Sequence, residues 1–253
     1  MHIPRFISTV SVTGADSCTS IKGMLRLQKR FPFAEFGILF SMKHQGYERY
    51  PSYEWVESLT TIASGELRLS AHLCGQIVRD ILENNFLFAP NSYQYQFLHK
   101  CFSRIQLNTH GEPHSFMPIG ITKLLSFCKS YGSHVIFQYD NTNNDLISYV
   151  NSLSNPNVDV LFDLSHGCGI LPEAWPTLKT ASHVRLGYAG GLSGENLESQ
   201  IPDIFRASNG EIVWIDAETQ LRTNDLFDLG KVESFLLAAE PYVVEEQSSQ
   251  EEE

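Results

Sequence analysis

The feature that most constrains this chain is one local pattern that recurs along it: an apolar run, a polar or glycine-bearing loop, and a helical segment. The pattern is clearest within residues 158–196, where the apolar runs 158–162 and 183–186 each end in a glycine-bearing loop. The first loop reads SHGCG after Asp163, and the second reads YAGGLSGEN and leads into a helical segment. Strands followed by such loops and helices are the repeating unit of a parallel β/α barrel.

Eight such units can be counted along the chain. The predicted strands are residues 6–12, 34–40, 66–71, 104–107, 134–137, 158–162, 183–186 and 211–215. Apolar residues at helical spacing predict helices that include residues 53–63, 92–101, 121–130, 145–153 and 229–239. No linker or change of composition divides the units. The pattern therefore predicts a single (β/α)8 TIM barrel with eight parallel strands over residues 1–243, with a doubly wound open sheet as second choice.

Length and charge agree with one soluble domain. The 253 residues match the typical barrel of about 250 residues. The net charge is −11, and five of these charges belong to the glutamates of residues 244–253, which we predict to be an acidic, disordered tail. An acidic chain is a poor partner for nucleic acid or for an anionic membrane. The expected partner is therefore a small molecule, and the sequence does not predict the oligomeric state.

Targeting and cysteine patterns point to a cytoplasmic protein. No apolar run reaches the length of about 18 residues that a membrane span needs, and the first residues lack the pattern of a signal peptide. The five cysteines are widely spaced and form no C-x-x-C pair, which disfavours a disulfide framework or a structural zinc site. We expect no cofactor and no metal.

Two residues at predicted strand ends are candidates for proton transfer. Asp163 follows the sixth strand, where a carboxyl at the mouth of an apolar barrel can have a raised pKa and act as an acid. His72 closes the third strand and titrates near neutrality, so it is the candidate base. The alternatives are a loop cap for Asp163 and a structural histidine for His72. For Cys74 nearby, a small buried apolar role is the favoured interpretation.

Other candidates concern ligand binding. Gly190, Gly191 and Ser193 open a helical segment and could bind phosphate through backbone amides, although the glycines could also serve only a tight turn. Further polar residues at strand ends or in the loops after them are candidate substrate-binding residues: Arg49, Asn108, Gln138, Asp216 and Glu218. The spacing of His110, Glu112 and His114 is compatible with a metal, but such a pattern on a loop is unspecific.

Five short motifs occur in one order along the chain. They are residues 37–40 with Arg49-Tyr50, residues 105–107 with His110-Gly111, Phe162-Asp163 with Gly167, Gly169 and Trp175, residues 187–196 (GYAGGLSGEN), and residues 215–236 (IDAETQLRTNDLFDLGKVESFL). In this order they resemble the phosphoribosylanthranilate isomerase family, a β/α barrel of tryptophan biosynthesis, over nearly the whole barrel. The resemblance implies an Amadori rearrangement of an aminoaldose to an aminoketose, with Asp163 at the position of the general acid.

Two motifs depart from that family. Its strand-one Lys-x-Cys-Gly, which carries the base, corresponds here to residues 11–14 with Thr13 in place of the cysteine. A threonine hydroxyl is too weak an acid to replace it without an adjacent base. In the strand-eight loop, Glu218 stands where the family presents small residues to phosphate.

These departures predict a divergent relative. We expect it to bind a phosphorylated or sugar-like small molecule at the carboxyl ends of the strands and to perform proton-transfer isomerisation with Asp163 and His72. The alternatives are a ligand-sensing or partner-binding barrel without catalysis, and a different lyase or hydrolase reaction on a sugar-derived substrate.

Overall fold

Eight parallel strands close into a barrel in chain order. The computed structural model describes residues 3–63, 65–85, 101–109, 116–155, 157–165, 167–177 and 182–245. The strands are β1 Ile7–Thr13, β2 Ala34–Ser41, β3 Leu69–Cys74, β4 Arg104–Asn108, β5 His134–Tyr139, β6 Val158–Asp163, β7 Arg185–Ala189 and β8 Val213–Ala217. Pairing of β8 with β1 closes the sheet. The predicted (β/α)8 barrel is confirmed.

Seven α-helices surround the barrel in the described part of the chain. They are α1 Ile21–Arg30, α2 Tyr53–Ala63, α3 Gln76–Leu82, α4 Pro118–Ser130, α5 Asn144–Ser152, α6 Leu197–Ala207 and α7 Leu229–Ala239. Of the predicted helix over residues 92–101, only residue 101 is among the residues that the structure describes. A short hairpin, β9 Arg222–Thr223 with β10 Leu226–Phe227, lies between β8 and α7.

The connection from β6 to β7 departs from the predicted strand-and-helix unit. Its described residues, 164–165, 167–177 and 182–184, form no helix. Gly167 and Gly169 have positive φ, and Pro172 and Pro176 remove backbone donors from the segment that follows. Both features oppose a regular helix. The chain instead crosses the top of the barrel as an irregular loop.

Four strands extend two to three residues beyond their predicted ends. β3 runs to Cys74, β5 to Tyr139, β7 to Ala189 and β8 to Ala217. The apolar runs stop earlier because residues that point into the upper barrel are polar, as His72 and Asp216 show. Alternation with period two continues through such residues, so the strand outlasts its apolar pattern. His72 and Asp216 therefore belong to strands and not to the loops after them.

The helices cover the barrel with apolar faces that sequence spacing explains. In α1, Met24 and Leu27 are buried against the strands, and the Ser20 side chain caps the helix by accepting a hydrogen bond from the Gly23 amide. In α7, the Asp228 side chain accepts from the amides of Gly230 and Lys231. Each cap satisfies backbone donors that the first helical turn leaves free.

An ion-pair cluster fills the barrel at the amino ends of the strands. Arg104 on β4 donates to both carboxylate oxygens of Glu35, at 2.8 and 2.6 Å, and lies 3.6 Å from Asp159. Burial alone would raise the pKa of Glu35, but the Arg104 charge and its hydrogen bonds outweigh burial and lower that pKa to about 2. The Arg104 guanidinium also lies 4.1 Å from the ring centre of Trp214. This end of the barrel is packed, not open.

The last described residues of the chain run along the outside of the barrel. The Val244 amide donates to the Ile7 carbonyl, so residues up to 245 follow the barrel wall. Residues 246–253 of the predicted acidic tail lie outside the described residues, and the domain boundary at 243 stays a prediction. In the described chain, every helix is too short or too polar to cross a membrane.

Candidate active site

A cavity of about 440 Å³ lies at the carboxyl ends of the strands. Six of the ten predicted site residues line it: Arg49, Asn108, Gln138, Asp163, Asp216 and Glu218. Leu39, His44, Glu48, Tyr50, Cys74, Gly75, Gln106 and Gly167 complete the lining. His72, Gly190, Gly191 and Ser193 are outside it. The active-site end of a β/α barrel is therefore the place where most of the predicted residues meet.

Strand register brings two carboxyl groups to the same height in the barrel. Asp163 on β6 pairs with Ala189 on β7, and Ala189 pairs with Asp216 on β8. Neighbouring strands are about 4.8 Å apart, and both aspartates line the same cavity. The small Ala189 side chain between them leaves the space open. The two carboxyl groups are close enough for the Asp163 charge to affect the protonation of Asp216.

Asp216 is held as a buried acid. Its side chain is only slightly exposed, and its Oδ1 accepts a 2.7 Å hydrogen bond from the Thr13 hydroxyl. Burial raises the pKa of Asp216 well above its usual value, and the charges of Glu218, Asp163 and Glu35 raise it further, whereas the Thr13 hydrogen bond lowers it. Thr13 thus acts on a neighbouring carboxyl group.

Asp163 has the opposite surroundings. It is half-buried and accepts hydrogen bonds from Gln138 Nε2 at 3.0 Å and from the amide and hydroxyl of Ser165 at 2.8 and 2.7 Å. All three neighbours donate, which suits a carboxylate because it is an acceptor-only group. The hydrogen bonds from Ser165 agree with the predicted capping role, and the catalytic role stays a prediction. One oxygen caps the loop at Ser165, and the other is held by Gln138 beside the cavity.

Arg49 links the loops after β2 and β8 at the edge of the cavity. Its guanidinium donates to Glu218 Oε1 at 2.6 Å and to the Thr219 hydroxyl at 3.3 Å. Burial raises the pKa of Glu218, and the Arg49 charge and hydrogen bond oppose this shift. Arg49 therefore neutralises a protein carboxylate, and one terminal nitrogen of its guanidinium makes both hydrogen bonds.

A row of amides and a thiol lines the cavity beside Gln138. Gln106 Nε2 donates to Asn108 Oδ1 at 2.7 Å, and Asn108 Nδ2 contacts Cys74 Sγ at 3.2 Å. Tyr50 also forms a hydrogen bond with Cys74. Burial is the largest cause that raises the pKa of Tyr50, and the Cys74 thiol raises it further. The sequence prediction omitted Gln106 and Tyr50 and took Cys74 as a packing residue. Alternation could have found Gln106, because it lies two residues before Asn108 and faces the same side of β4.

His72, the predicted base, is buried outside the cavity lining. It is 1% exposed, and its Nε2 is 3.1 Å from the Ser70 hydroxyl. Burial lowers the pKa of His72 to about 4, although the Glu35 charge opposes this shift. The ring packs against the Cα of Gly37, as does the Thr13 hydroxyl. A neutral, enclosed imidazole in this place supports the wall behind Thr13.

The glycine turn after β7 is covered by the loop after β6. A Cβ at Gly191 would lie 2.5 Å from the Leu171 amide nitrogen, and one at Gly190 would lie 3.3 Å from the Ile170 carbonyl oxygen. The Ser193 amide donates to Asn196 Oδ1. Thr219 and Gln220 donate to the carbonyls of Gly167 and Gly169 and so tie the covering loop to the loop after β8. A phosphate at this turn would require the covering loop to move, and the phosphate site stays a prediction.

Metal ligation finds no support in the described residues. Among them, no group of three or more His, Cys, Asp or Glu side chains is arranged to hold an ion. The possible metal motif on a loop consists of His110, Glu112 and His114. These residues are not among those that the structure describes.

Comparisons with known proteins support the barrel. Solved structures that resemble it include phosphoribosyl anthranilate isomerase from Thermus thermophilus, with a TM-score of 0.58 at 15% identity over 91% of this chain and 97% of that chain. The N-(5'-phosphoribosyl)anthranilate isomerase from Pyrococcus furiosus gives 0.55 at 16% identity over 92% and 98%. A mutant tryptophan synthase α-subunit from Pyrococcus furiosus gives 0.57 at 10% identity over 95% and 99%.

The chain is a TIM barrel. At these identities the likeness shows the fold alone, and it is shared between isomerase and synthase barrels. No family model matches the chain, and no curated protein matches its sequence. The function must therefore be argued from the cavity itself.

Proposed function

We propose that this barrel is an enzyme that moves a proton on a small, sugar-like molecule, with Asp216 as general acid and Asp163 as general base. The observation that carries the proposal is the contrast between two carboxyl groups at one height of one cavity. Asp216 is buried with a raised pKa and a single hydroxyl donor, whereas Asp163 accepts three hydrogen bonds. Pairs of carboxyl groups whose surroundings differ in this way serve as acid and base in known enzymes.

This proposal changes the expected roles. Asp163 was expected to be the acid and His72 the base. His72 is buried outside the cavity lining, and Asp216 is the more deeply buried of the two aspartates. We therefore give the acid role to Asp216 and the base role to Asp163. Isomerisation of an aldose to a ketose needs such a pair, because one proton leaves carbon while another reaches oxygen.

The lining suits a polyhydroxylated ligand. Amide groups of Gln106, Asn108 and Gln138 and carboxyl groups of Asp163 and Asp216 surround the space. Such groups form hydrogen bonds with hydroxyls in several directions. A volume of about 440 Å³ lies within the range of small-molecule sites, about 300–1,000 Å³.

Deuterium exchange tests this function without knowledge of the product. Aldoses and ketoses, with and without amino or phosphate groups, would be incubated with the enzyme in D2O, and loss of C–H signals would be followed by NMR. We expect exchange at the carbon beside the carbonyl of the true substrate. Asp163→Asn should slow it by roughly 10²–10⁴-fold, because a general base contributes about that much.

Asp216→Asn and Asp203→Asn complete the design. Asp216→Asn should also lose exchange, whereas Asp203 is an exposed residue of α6 outside the cavity lining, so Asp203→Asn should keep it. Full activity of Asp163→Asn and Asp216→Asn on the exchanging substrate would show that these carboxyl groups are not the acid and base.

Hydrolysis of a sugar derivative is the second candidate. A third carboxyl group, Glu218, also with a raised pKa, lines the same cavity. Glycosidases use paired carboxyl groups with an acid of raised pKa. Release of a chromophore from nitrophenyl glycosides without C–H exchange would favour hydrolysis over isomerisation.

A further inference from the structure

Two buried amide oxygens in the cavity wall lack donors. Gln106 Oε1 and Gln138 Oε1 accept no hydrogen bond from the described part of the chain, and the two side chains are 2% and 4% exposed. Both residues line the cavity from neighbouring strands, β4 and β5. Buried polar groups without partners are rare in native proteins, and a ligand is one of the things that can satisfy them.

The orientation of both amides follows from their neighbours. Gln138 must direct its nitrogen to Asp163, because the carboxylate can only accept, so its oxygen is the free end. Asn108 directs its nitrogen to the Cys74 sulfur and its oxygen to Gln106 Nε2. Gln106 Oε1 is therefore free as well.

Each amide in the cavity wall holds its nitrogen against a protein group. The side-chain nitrogens of Gln106, Asn108 and Gln138 each donate one hydrogen bond to the protein, and one terminal nitrogen of Arg49 donates to Glu218 and Thr219. Of the four carboxyl groups that line the space, Glu218 is paired with Arg49 and Asp216 is the proposed neutral acid, so Asp163 and Glu48 are left to contribute negative charge. Such a lining attracts a cation and repels a phosphate.

We propose that the ligand presents an amino group to the floor of this cavity, so that the substrate class is an amino sugar or amino polyol and not a sugar phosphate. The N–H groups would donate to Gln138 Oε1 and Gln106 Oε1, and the positive charge would face Asp163. This inference rests on the proposed function for the sugar-like part of the ligand. It departs from the phosphorylated ligand that the sequence predicts.

Calorimetry with three matched probes tests the inference on the full chain. Glucosamine, glucose and glucose 6-phosphate differ at one position each, in an amino or a phosphate group. We expect glucosamine to bind about ten-fold or more tightly than glucose, because a charge-assisted hydrogen bond is worth about one power of ten in Kd. Glucose 6-phosphate should bind more weakly than glucose. Equal binding of glucosamine and glucose, tighter binding of glucose 6-phosphate, or no binding of glucosamine would overturn the inference.

Substitutions of the two glutamines test where the amino group of the ligand binds. Gln138→Met removes the free acceptor and should weaken glucosamine binding by about ten-fold more than it weakens glucose binding. Gln106→Met provides the same test from β4 if the first variant folds poorly. The control is Gln76→Met, since Gln76 is an exposed residue of α3 outside the cavity lining. Unchanged glucosamine binding in folded Gln138→Met and Gln106→Met would overturn the assignment.

Binding and catalysis can fail separately. Preferential glucosamine binding without deuterium exchange on any sugar would keep this inference and refute the proton-transfer function. Exchange on a sugar phosphate, together with binding of glucose 6-phosphate in preference to glucosamine, would refute this inference and keep the proton-transfer function.

Discussion

Gly37 shows how one residue without a side chain shapes the proposed acid. A Cβ at this position would lie 2.2 Å from the Thr13 hydroxyl oxygen and 2.9 Å from His72 Nε2. Only glycine leaves room for both side chains. Thr13 can therefore reach Asp216, and its hydroxyl is the side-chain donor that moderates the pKa of that carboxyl group. The position of the acid depends on a contact between β1, β2 and β8.

Thr13→Val tests this contact at the scale of the residue. Valine has nearly the same shape but no hydroxyl, so Asp216 would lose the hydrogen bond that lowers its pKa. We expect the pKa of Asp216 to rise further, because the hydrogen bond that opposes the effect of burial is lost. Titration of carboxyl signals by NMR measures the shift directly.

A similar pair elsewhere in the chain provides the control. Thr142 donates to Asp140 at 2.6 Å, outside the cavity lining. Thr142→Val should leave the titration of Asp216 unchanged. If the pKa of Asp216 in Thr13→Val were unchanged or lower, the role given to Thr13 would be wrong.

Individual residues also mark the limit of what the sequence could predict. The end of β6 was predicted within one residue, so Asp163 was placed correctly beside the cavity. The burial of His72 could not be predicted, because the apolar pattern of β3 ends before the strand does and the direction of a side chain depends on the true register. Gln106 could have been found by alternation. The missing donors of Gln106 and Gln138 could not, since they depend on distances between neighbouring strands.

At the scale of the element, strands β2, β4 and β6 are joined inside the barrel by Arg104. It contacts Glu35 on β2 and Asp159 on β6 and is itself nearly buried. Asp159 also accepts two hydrogen bonds of 2.8 Å from Arg185 on β7. Hydrophobic periodicity predicts the strands, but these charged residues lie on inward positions where a sequence-based reading expects apolar packing.

Arg104→Met should destabilise the barrel strongly. The substitution leaves the Glu35 carboxylate buried without its main partner, and loss of one member of a buried pair costs about 3–5 kcal/mol. Urea denaturation of wild type and variant measures the loss. The matched control is Arg206→Met, because Arg206 pairs with Asp203 on the exposed surface of α6 and should contribute little. Equal effects of the two substitutions would contradict the importance of the buried cluster.

At the scale of the whole molecule, buried titratable groups make stability depend on pH. His72 has a pKa of about 4 in the folded barrel against 6.5 for an unperturbed histidine. Between these values the unfolded chain binds a proton that the folded chain does not, so stability decreases as the pH falls. Glu35 has its pKa lowered to about 2, so the stability that it contributes above pH 4.5 is lost as the pH falls from there towards 2.

Urea denaturation at several pH values tests this dependence. Between pH 6.5 and pH 4, His72 should contribute a slope of about 1.4 kcal/mol per pH unit, which corresponds to one proton. His72→Gln should remove that part of the slope, although it also costs some stability at pH 7. As a control, His44→Gln changes an exposed histidine and should retain the slope. An unchanged slope in His72→Gln would mean that the imidazole is not enclosed.

The packed ionic end of the barrel also determines how molecules reach the cavity. Because Arg104, Glu35, Asp159 and Trp214 fill the opposite end, the described residues leave a ligand the path past the loops after the strands, where Arg49 bridges to Glu218. Arrival and departure then share one path. A barrier on that path slows association and dissociation by the same factor and leaves the affinity unchanged. The loops can therefore set the residence time of a ligand, while its contacts with Gln106 and Gln138 at the floor of the cavity set its affinity.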